Sequence, residues 1–440
     1  MNYVNVIGAG LAGCEAAYQL AKRGVPVRLF EMKPKKFSPA HSNKNFAELV
    51  CSNSLRSNNI ENAVGILKRE LEIAGSLIME AAYKTMLPAG SALAVDRDKF
   101  AEYITQKMQS QNNIEIINEE VISIDENEVN IIATGPLTSD GLQSEIQRII
   151  GEDYLFFFDA AAPIVNADSI DFDTAFYASR YDKGGKDYIN CPMTREEYEI
   201  FYNELISAQT IKLHDFEQDF IQKNVFEGCM PVEVMAQRGF EALLFGPMKP
   251  VGLIDERTQK RPFAVVQLRQ DNSEKTMYNI VGFQTNLTFS EQKRVFSLIP
   301  SLKNCEFLRY GVMHKNTFIN SPKLLTNTYS LRKNPNIYFV GQITGVEGYI
   351  ESASSGFVAG IDCANKIFHR QSGVAFPRST AIGALAHYIS DESVDKFQPM
   401  NINFGIIEYP QEKIKGGKKA VKQRIAEKSF ELIQNLLKNT

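Results

Sequence analysis

Residues 3–31, YVNVIGAGLAGCEAAYQLAKRGVPVRLFE, decide the fold. Tyr3 to Ile7 is a short apolar run suited to a buried parallel strand. From Ala12 onward, Ala16, Ala17, Leu20 and Ala21 recur at helical spacing until Gly24 ends the pattern, and a second apolar run closes on Glu31. Between strand and helix, Gly8, Gly10 and Gly13 form G-x-G-x-x-G. The first glycine permits the tight turn, the second lets a pyrophosphate approach the backbone, and the third lets helix and strand pack closely. A phosphate would sit at the helix amino terminus, where unpaired N–H groups and the macrodipole favour negative charge. Glu31 stands where a carboxylate accepts hydrogen bonds from a ribose. Gly8, Ala9, Gly10, Leu11, Ala12, Gly13 and Glu31 are therefore expected to hold a dinucleotide.

The far end of the chain distinguishes FAD from NAD. Residues 334–367, NPNIYFVGQITGVEGYIESASSGFVAGIDCANKI, read as a strand, a glycine-punctuated turn and a helix rich in small residues. Two-part flavoprotein domains return to the same sheet late in the chain, where such a helix terminus approaches the flavin ring. Gly341, Gly348 and Tyr349 lie in that turn and at that helix terminus. Residues 129–136, VNIIATGP, add the strand and A-T-G turn that flavoproteins place beside the nucleotide. No second complete G-x-G-x-x-G follows, so a nicotinamide reductant is expected to dock transiently on the flavin. The intervening stretch changes texture, with aromatic runs, polar turns and alternating patterns such as PFAVVQLRQ. The expected architecture is α/β: a Rossmann-like, two-part FAD-binding domain of the glutathione-reductase type at 1–153 and 308–440, with an inserted α+β domain at 154–307.

Composition narrows the partners. The 440 residues are 44% hydrophobic and 23% charged, with a net charge of −4. This is ordinary for a soluble globular protein and contrary to a generally basic surface. No run approaches the ~18 apolar residues of a membrane span, and the amino terminus lacks the pattern of a secretion signal, so a cytoplasmic protein is expected. Six cysteines without C-x-x-C spacing and five scattered histidines point to free thiols and no metal site. Residues 412–440 carry seven lysines and one arginine against three glutamates, a net +5. Lys418, Lys419, Lys422 and Arg424 are the candidates there for the phosphates of a nucleic acid; a solvated helix face is the alternative.

Two cysteines stand out. Cys14 and Cys363 sit on helices rich in small residues and read as buried hydrophobes, while Cys191 and Cys305 are undecided. Cys51, in LVCSNSLRS, lies where an apolar run gives way to hydroxyls, an amide and a guanidinium, surroundings that stabilise a thiolate. Cys229, in FEGCMPVE, follows a glycine and precedes Met-Pro, which turns the backbone. Glu227 and Glu233 oppose activation of that thiol, since negative charge raises a thiol pKa. A flavin with two such thiols admits either disulfide cycling or addition of a thiolate to an electrophilic carbon.

The motifs GAGLAGCEAA, ELVCSNSLRS, LPAGSALAVDR, YDKGGKDYINCPM, FEGCMPVE, GVMHKNTFINSP and GQITGVEGYIESASSGFVAG together closely resemble the folate- and FAD-dependent RNA uracil-5-methyltransferases of the TrmFO family, through about Phe404. The resemblance implies transfer of the methylene carbon of 5,10-methylenetetrahydrofolate, through FAD and with NAD(P)H as reductant, to C5 of a uridine in tRNA or in 23S ribosomal RNA. It implies Cys229 as the thiolate that adds to uracil C6 and Cys51 as the partner that removes the C5 proton or guards the flavin adduct, with the division of labour between the two left open. It implies that Gly341, Gly348 and Tyr349 wall the flavin ring. It also makes His314 to Thr317 a folate or flavin neighbour; read alone, a strand-end turn is the equal alternative. No metal or membrane enters, and the oligomeric state stays open. Two other readings stand beside it: a flavin-dependent thiol oxidoreductase, and a catalytically inactive, flavin-stabilised RNA-binding protein.

Overall fold

The computed structural model describes residues 3–152, 154–182, 185–211, 230–368, 376–410 and 416–438. Its first sheet has six strands, in the order Ser330–Leu331, Asn334–Phe339, Val129–Ile132, Val4–Ile7, Val27–Phe30 and Ile114–Ile117. All neighbours pair in parallel except the edge hairpin of Ser330–Leu331 and Asn334–Phe339. Val4 is in register with both Val27 and Val129, so the first strand lies at the centre. The chain steps from it to Val27–Phe30 and Ile114–Ile117 on one side and then crosses back to Val129–Ile132 on the other, and this reversal of strand order opens a crevice beyond its carboxyl end, where open α/β sheets take ligands.

Two helices pack against each other over this sheet: Leu11–Lys22, here the dinucleotide helix, and Tyr349–Ile367, the return helix. Small residues make the approach possible. A Cβ on Gly356 would lie 2.0 Å from the Ala12 carbonyl oxygen, and one on Gly360 2.8 Å from that of Ala16. The glycines of the return helix therefore serve backbone-to-backbone packing.

The second sheet is antiparallel, in the order Phe176–Ala178, Tyr188–Met193, Ala264–Gln270, Met277–Ile280, Ile164–Asn166 and Phe307–Arg309. It has its own apolar core, to which the helix Arg195–Ser207 contributes Tyr198, Phe201 and Leu205. That helix starts at a capping box: the Thr194 hydroxyl accepts from the Glu197 N–H, and the Glu197 carboxylate accepts from the Thr194 N–H. A ribbon of Leu155–Ala160 against Met313–Phe318 carries the chain from one body to the other and back. His314 to Thr317 lies on this ribbon, where Thr317 donates through N and Oγ1 to the Pro136 carbonyl at 3.1 and 3.0 Å.

The carboxy-terminal helix, Gly417–Lys438, packs on Ala63–Ile73 through Ile425, Ser429 and Ile433, which fall on one face at intervals of four. Beneath it, the buried Glu70 carboxylate accepts from the N–H groups of Ala381 and Ile382 at 2.6 and 2.8 Å and from the Ser429 hydroxyl. One carboxylate thereby caps the helix Ala381–Tyr388 and ties down the carboxy-terminal helix.

Candidate active site

A cleft opens at the carboxyl end of the first strand, bordered by the loop 8–12, Glu31, the turn 134–138, Gly341 and Tyr349. Its glycines divide their tasks physically. Gly8 has φ +102°, and a Cβ there would lie 2.7 Å from the Ala133 carbonyl oxygen. A Cβ on Gly13 would sit 1.8 Å from the Gly8 carbonyl oxygen, so only glycine lets helix and turn touch. Gly10 differs: a Cβ there would meet nothing within 4 Å, and as N-cap it offers no side-chain partner to the first N–H groups of the helix. Gly10 lines the cleft, and a pyrophosphate fits beside its bare Cα and those donors.

Glu31 is buried at the end of its strand. One carboxylate oxygen accepts from the Ala9 N–H at 2.9 Å and the other from the Lys33 N–H at 3.0 Å, which aims the group across the glycine turn. Across the cleft the Gly341 N–H donates to the Ser355 hydroxyl at 2.6 Å, and Gly341 itself takes φ +82°. Gly348, the N-cap of the return helix, takes φ +114°. The donor set and the shape fit a dinucleotide lying along the first strand's end, with its far portion against the return helix.

The return helix also holds the Cys51 loop. The Tyr349 hydroxyl accepts from the N–H groups of Cys51 and Ser52 at 2.9 and 3.2 Å, a contact between residues 298 positions apart. Among the five cysteines described, Cys51 alone is not buried, and its Sγ lies 3.7 Å from the Ala160 carbonyl oxygen. Burial pushes the Cys191 and Cys363 thiols up to about 12 and Cys305 up to about 11. It lifts Cys14 higher still, so these four are hydrophobes rather than reagents.

Three guanidiniums, none of them evident as site residues in the sequence, converge on the loop. Arg97 donates to the Leu49 carbonyl at 2.6 Å and forms a fork with Asp271 at 3.0 and 3.2 Å. Arg269 donates to Asn53 Oδ1 at 2.8 Å and to the Ser52 hydroxyl at 2.7 Å, and Arg309 donates to the Val50 carbonyl at 2.8 Å. Asn53, fully buried, then donates to the carbonyls of Val95 and Gln270. The loop is thus pinned from both bodies of the molecule. Arg56, at φ 63°, pairs with the buried Glu351 of the return helix, while Lys68 donates to the carbonyls of Arg56 and Ser57. Burial, reinforced by Arg56, draws the Lys68 ammonium down to about 7.

Cys229 and Glu227 lie outside the described residues. The segment just after them is firmly seated: the Val232 N–H donates to the Gln284 carbonyl at 2.7 Å. Glu233 accepts from the Asn286 N–H at 2.7 Å and the Thr285 hydroxyl at 2.9 Å, so this glutamate anchors a turn. His41, missed in the sequence because an isolated histidine carries no pattern, borders the cleft with Nδ1 2.5 Å from the Ser38 hydroxyl. Burial, with Lys33 close by, holds its pKa below the usual value.

The basic candidates all lie on the first turns of the carboxy-terminal helix. Lys418 and Lys419 are exposed; Lys419 pairs with Glu61 at 2.7 Å, Lys422 lies 4.8 Å over the Phe404 ring, and Arg424 stands 3.9 Å from Glu427. Among the described residues no group of His, Cys, Asp and Glu is arranged to hold a metal, and no helix is long and apolar enough to cross a membrane.

Comparison with known proteins agrees with this geometry. Residues 3–371 match the family model described as glucose inhibited division protein A. A curated protein of Acetivibrio thermocellus, named methylenetetrahydrofolate--tRNA-(uracil-5-)-methyltransferase TrmFO, is 63% identical over 93% of this chain and 92% of its own. Its namesake in Caldicellulosiruptor bescii is 57% identical over 98% of both. Among solved structures, GidA of Aquifex aeolicus superposes with a TM-score of 0.70 at 17% identity, covering 98% of this chain and 73% of that one, a likeness of fold.

Proposed function

We infer function from one premise: this chain belongs to the glucose inhibited division protein A family and, within it, to the TrmFO uracil-5-methyltransferases. It is an enzyme that transfers the methylene carbon of 5,10-methylenetetrahydrofolate to C5 of a tRNA uridine, with FAD as cofactor and NAD(P)H as reductant. The finer target we propose is the T-loop uridine of tRNA rather than a 23S ribosomal RNA site, in the cytoplasm where folate, NAD(P)H and tRNA meet.

The observation that carries the mechanism is the Tyr349 hydroxyl holding the Cys51 backbone at the edge of the glycine-lined cleft. Bound FAD supplies the redox chemistry that completes the methyl group. The chain's own residues do the rest. The N–H groups after Gly10 and the Glu31 carboxylate bind and orient the cofactor. Uracil C5 is a weak nucleophile. We assign to the Cys229 thiolate the addition to C6, which places electron density on C5 and splits one hard step into easier ones. Cys51 then takes the C5 proton, with Arg97, Arg269 and Arg309 fixing its loop. Elimination of the Cys229 thiolate restores the ring. The uridine must leave its RNA stack to reach the cleft, and Lys418, Lys419, Lys422 and Arg424 are the phosphate contacts we propose.

The cysteine roles are separable in one experiment. With 5-fluorouridine placed at the target position, Cys229→Ala forms no covalent RNA adduct, whereas Cys51→Ala still forms one but releases no methylated product from normal tRNA. Adduct formation by Cys229→Ala would overturn the assignment.

A further inference from the structure

Outside the cleft, three aromatic rings form a column. Phe289 stacks on Tyr310 with ring centroids 4.9 Å apart and planes 17° apart, and Tyr310 stacks on Phe307 at 5.3 Å and 11°. The outer ring is open: Phe289 keeps 50% of its surface exposed, while Phe307 and Tyr310 are half-buried. None of the three rings borders the cleft.

The column is rigidly tied to the reactive loop. Phe289 opens the helix Phe289–Phe296. In the same helix the buried Gln292 side chain donates to the carbonyls of Leu287 and Gly311 and accepts from the Gly311 N–H, all at 2.8 Å. Next to Tyr310, Arg309 grips the Val50 carbonyl immediately before Cys51. Lys293, one turn beyond Phe289, is exposed, while Arg294 is shared between Glu291 and Glu204.

We propose that Phe289, backed by Tyr310 and Phe307, is the stacking platform for an unpaired RNA base next to the target uridine. An open aromatic face at the end of a parallel stack offers a planar base continuous overlap, and such contacts tolerate any base because every base has a π-face. A uridine drawn into the cleft leaves its neighbour without a stacking partner, and the platform replaces that partner beside the loop that presents Cys51. The one-carbon donor has to reach the cofactor cleft, which the column does not border, so an RNA base is the occupant we assign to it. This inference rests on the RNA-methyltransferase reading.

The test is steady-state methylation of a tRNA transcript by the FAD-loaded enzyme. Phe289→Ala and Phe289→Leu raise KM for tRNA about 5- to 150-fold. They leave kcat, the flavin absorption spectrum, the KM for methylenetetrahydrofolate and the rate of flavin reduction by NADPH unchanged. Phe289→Tyr and Phe289→Trp stay near wild type. An unchanged tRNA KM in Phe289→Ala overturns the platform, as does a Leu variant that performs as well as Tyr, or an increase confined to the folate KM. A wild-type enzyme that methylates no RNA would bring down the functional reading and the platform together; an active wild type with an indifferent Phe289→Ala removes the platform alone.

Discussion

Gly10→Ala separates cofactor binding from folding at a single methyl group. The position has φ −75°, which alanine adopts freely, and the added Cβ meets no protein atom within 4 Å. Alanine is a poorer N-cap than glycine, but it restricts the unfolded chain, and the two effects of about 0.5–1 kcal/mol oppose each other. The apoprotein should therefore unfold in urea within about 1 kcal/mol of wild type. The same methyl occupies the space through which the pyrophosphate reaches the helix terminus. Losing one charge-assisted hydrogen bond there costs about 1.5–3 kcal/mol, or roughly 10- to 150-fold in FAD affinity. Gly13→Ala is the control. Its Cβ would lie 1.8 Å from the Gly8 carbonyl oxygen, a backbone clash that no rotamer relieves, so stability itself should fall by about 1–3 kcal/mol or more. The assays are urea denaturation of deflavinated protein and FAD titration followed by flavin fluorescence. If Gly10→Ala bound FAD within about threefold of wild type, or if Gly13→Ala were as stable as wild type, the division of labour among these glycines would be wrong.

Two further outcomes follow from the same structure. Tyr349→Phe leaves the N–H groups of Cys51 and Ser52 without their acceptor; an unsatisfied buried donor costs about 1–3 kcal/mol. Methyl transfer should drop by about tenfold or more while FAD content, read from absorbance, is retained. Burial raises the Glu70 carboxyl to about 7 from its ordinary value. A carboxyl raised on folding contributes stability fully present below the unfolded pKa and lost as pH rises through the folded one. Between about pH 4.5 and pH 7 Glu70 should therefore contribute a loss of up to about 3 kcal/mol, which Glu70→Gln removes from the urea-denaturation profile.

Local physics made much of this legible in the sequence. Strand, glycine turn, helix and terminal Glu31 all lie within one short segment, where hydrophobic period and glycine spacing act on neighbouring residues. The late return to the sheet was legible for the same reason, because the small residues of Tyr349–Ile367 betray a helix pressed against backbone. What could not be read depends on distant residues meeting. Nothing near Tyr349 in the chain signals that its hydroxyl serves Cys51, and Arg97, Arg269 and Arg309 come from three separate segments. An arginine's role is set by what it meets, so composition and spacing leave it silent. Glu233, which read as an obstacle to thiol activation, is instead occupied by Thr285 and Asn286.

The most direct test of the central claim is mapping by mass spectrometry after incubation with FAD, NADPH and carbon-labelled methylenetetrahydrofolate, using unmodified tRNA and 23S ribosomal RNA side by side. The account predicts labelled 5-methyluridine at the T-loop position of tRNA, absent when folate is omitted. Label in the ribosomal RNA alone would contradict the target, and no label in either RNA would contradict the reaction itself.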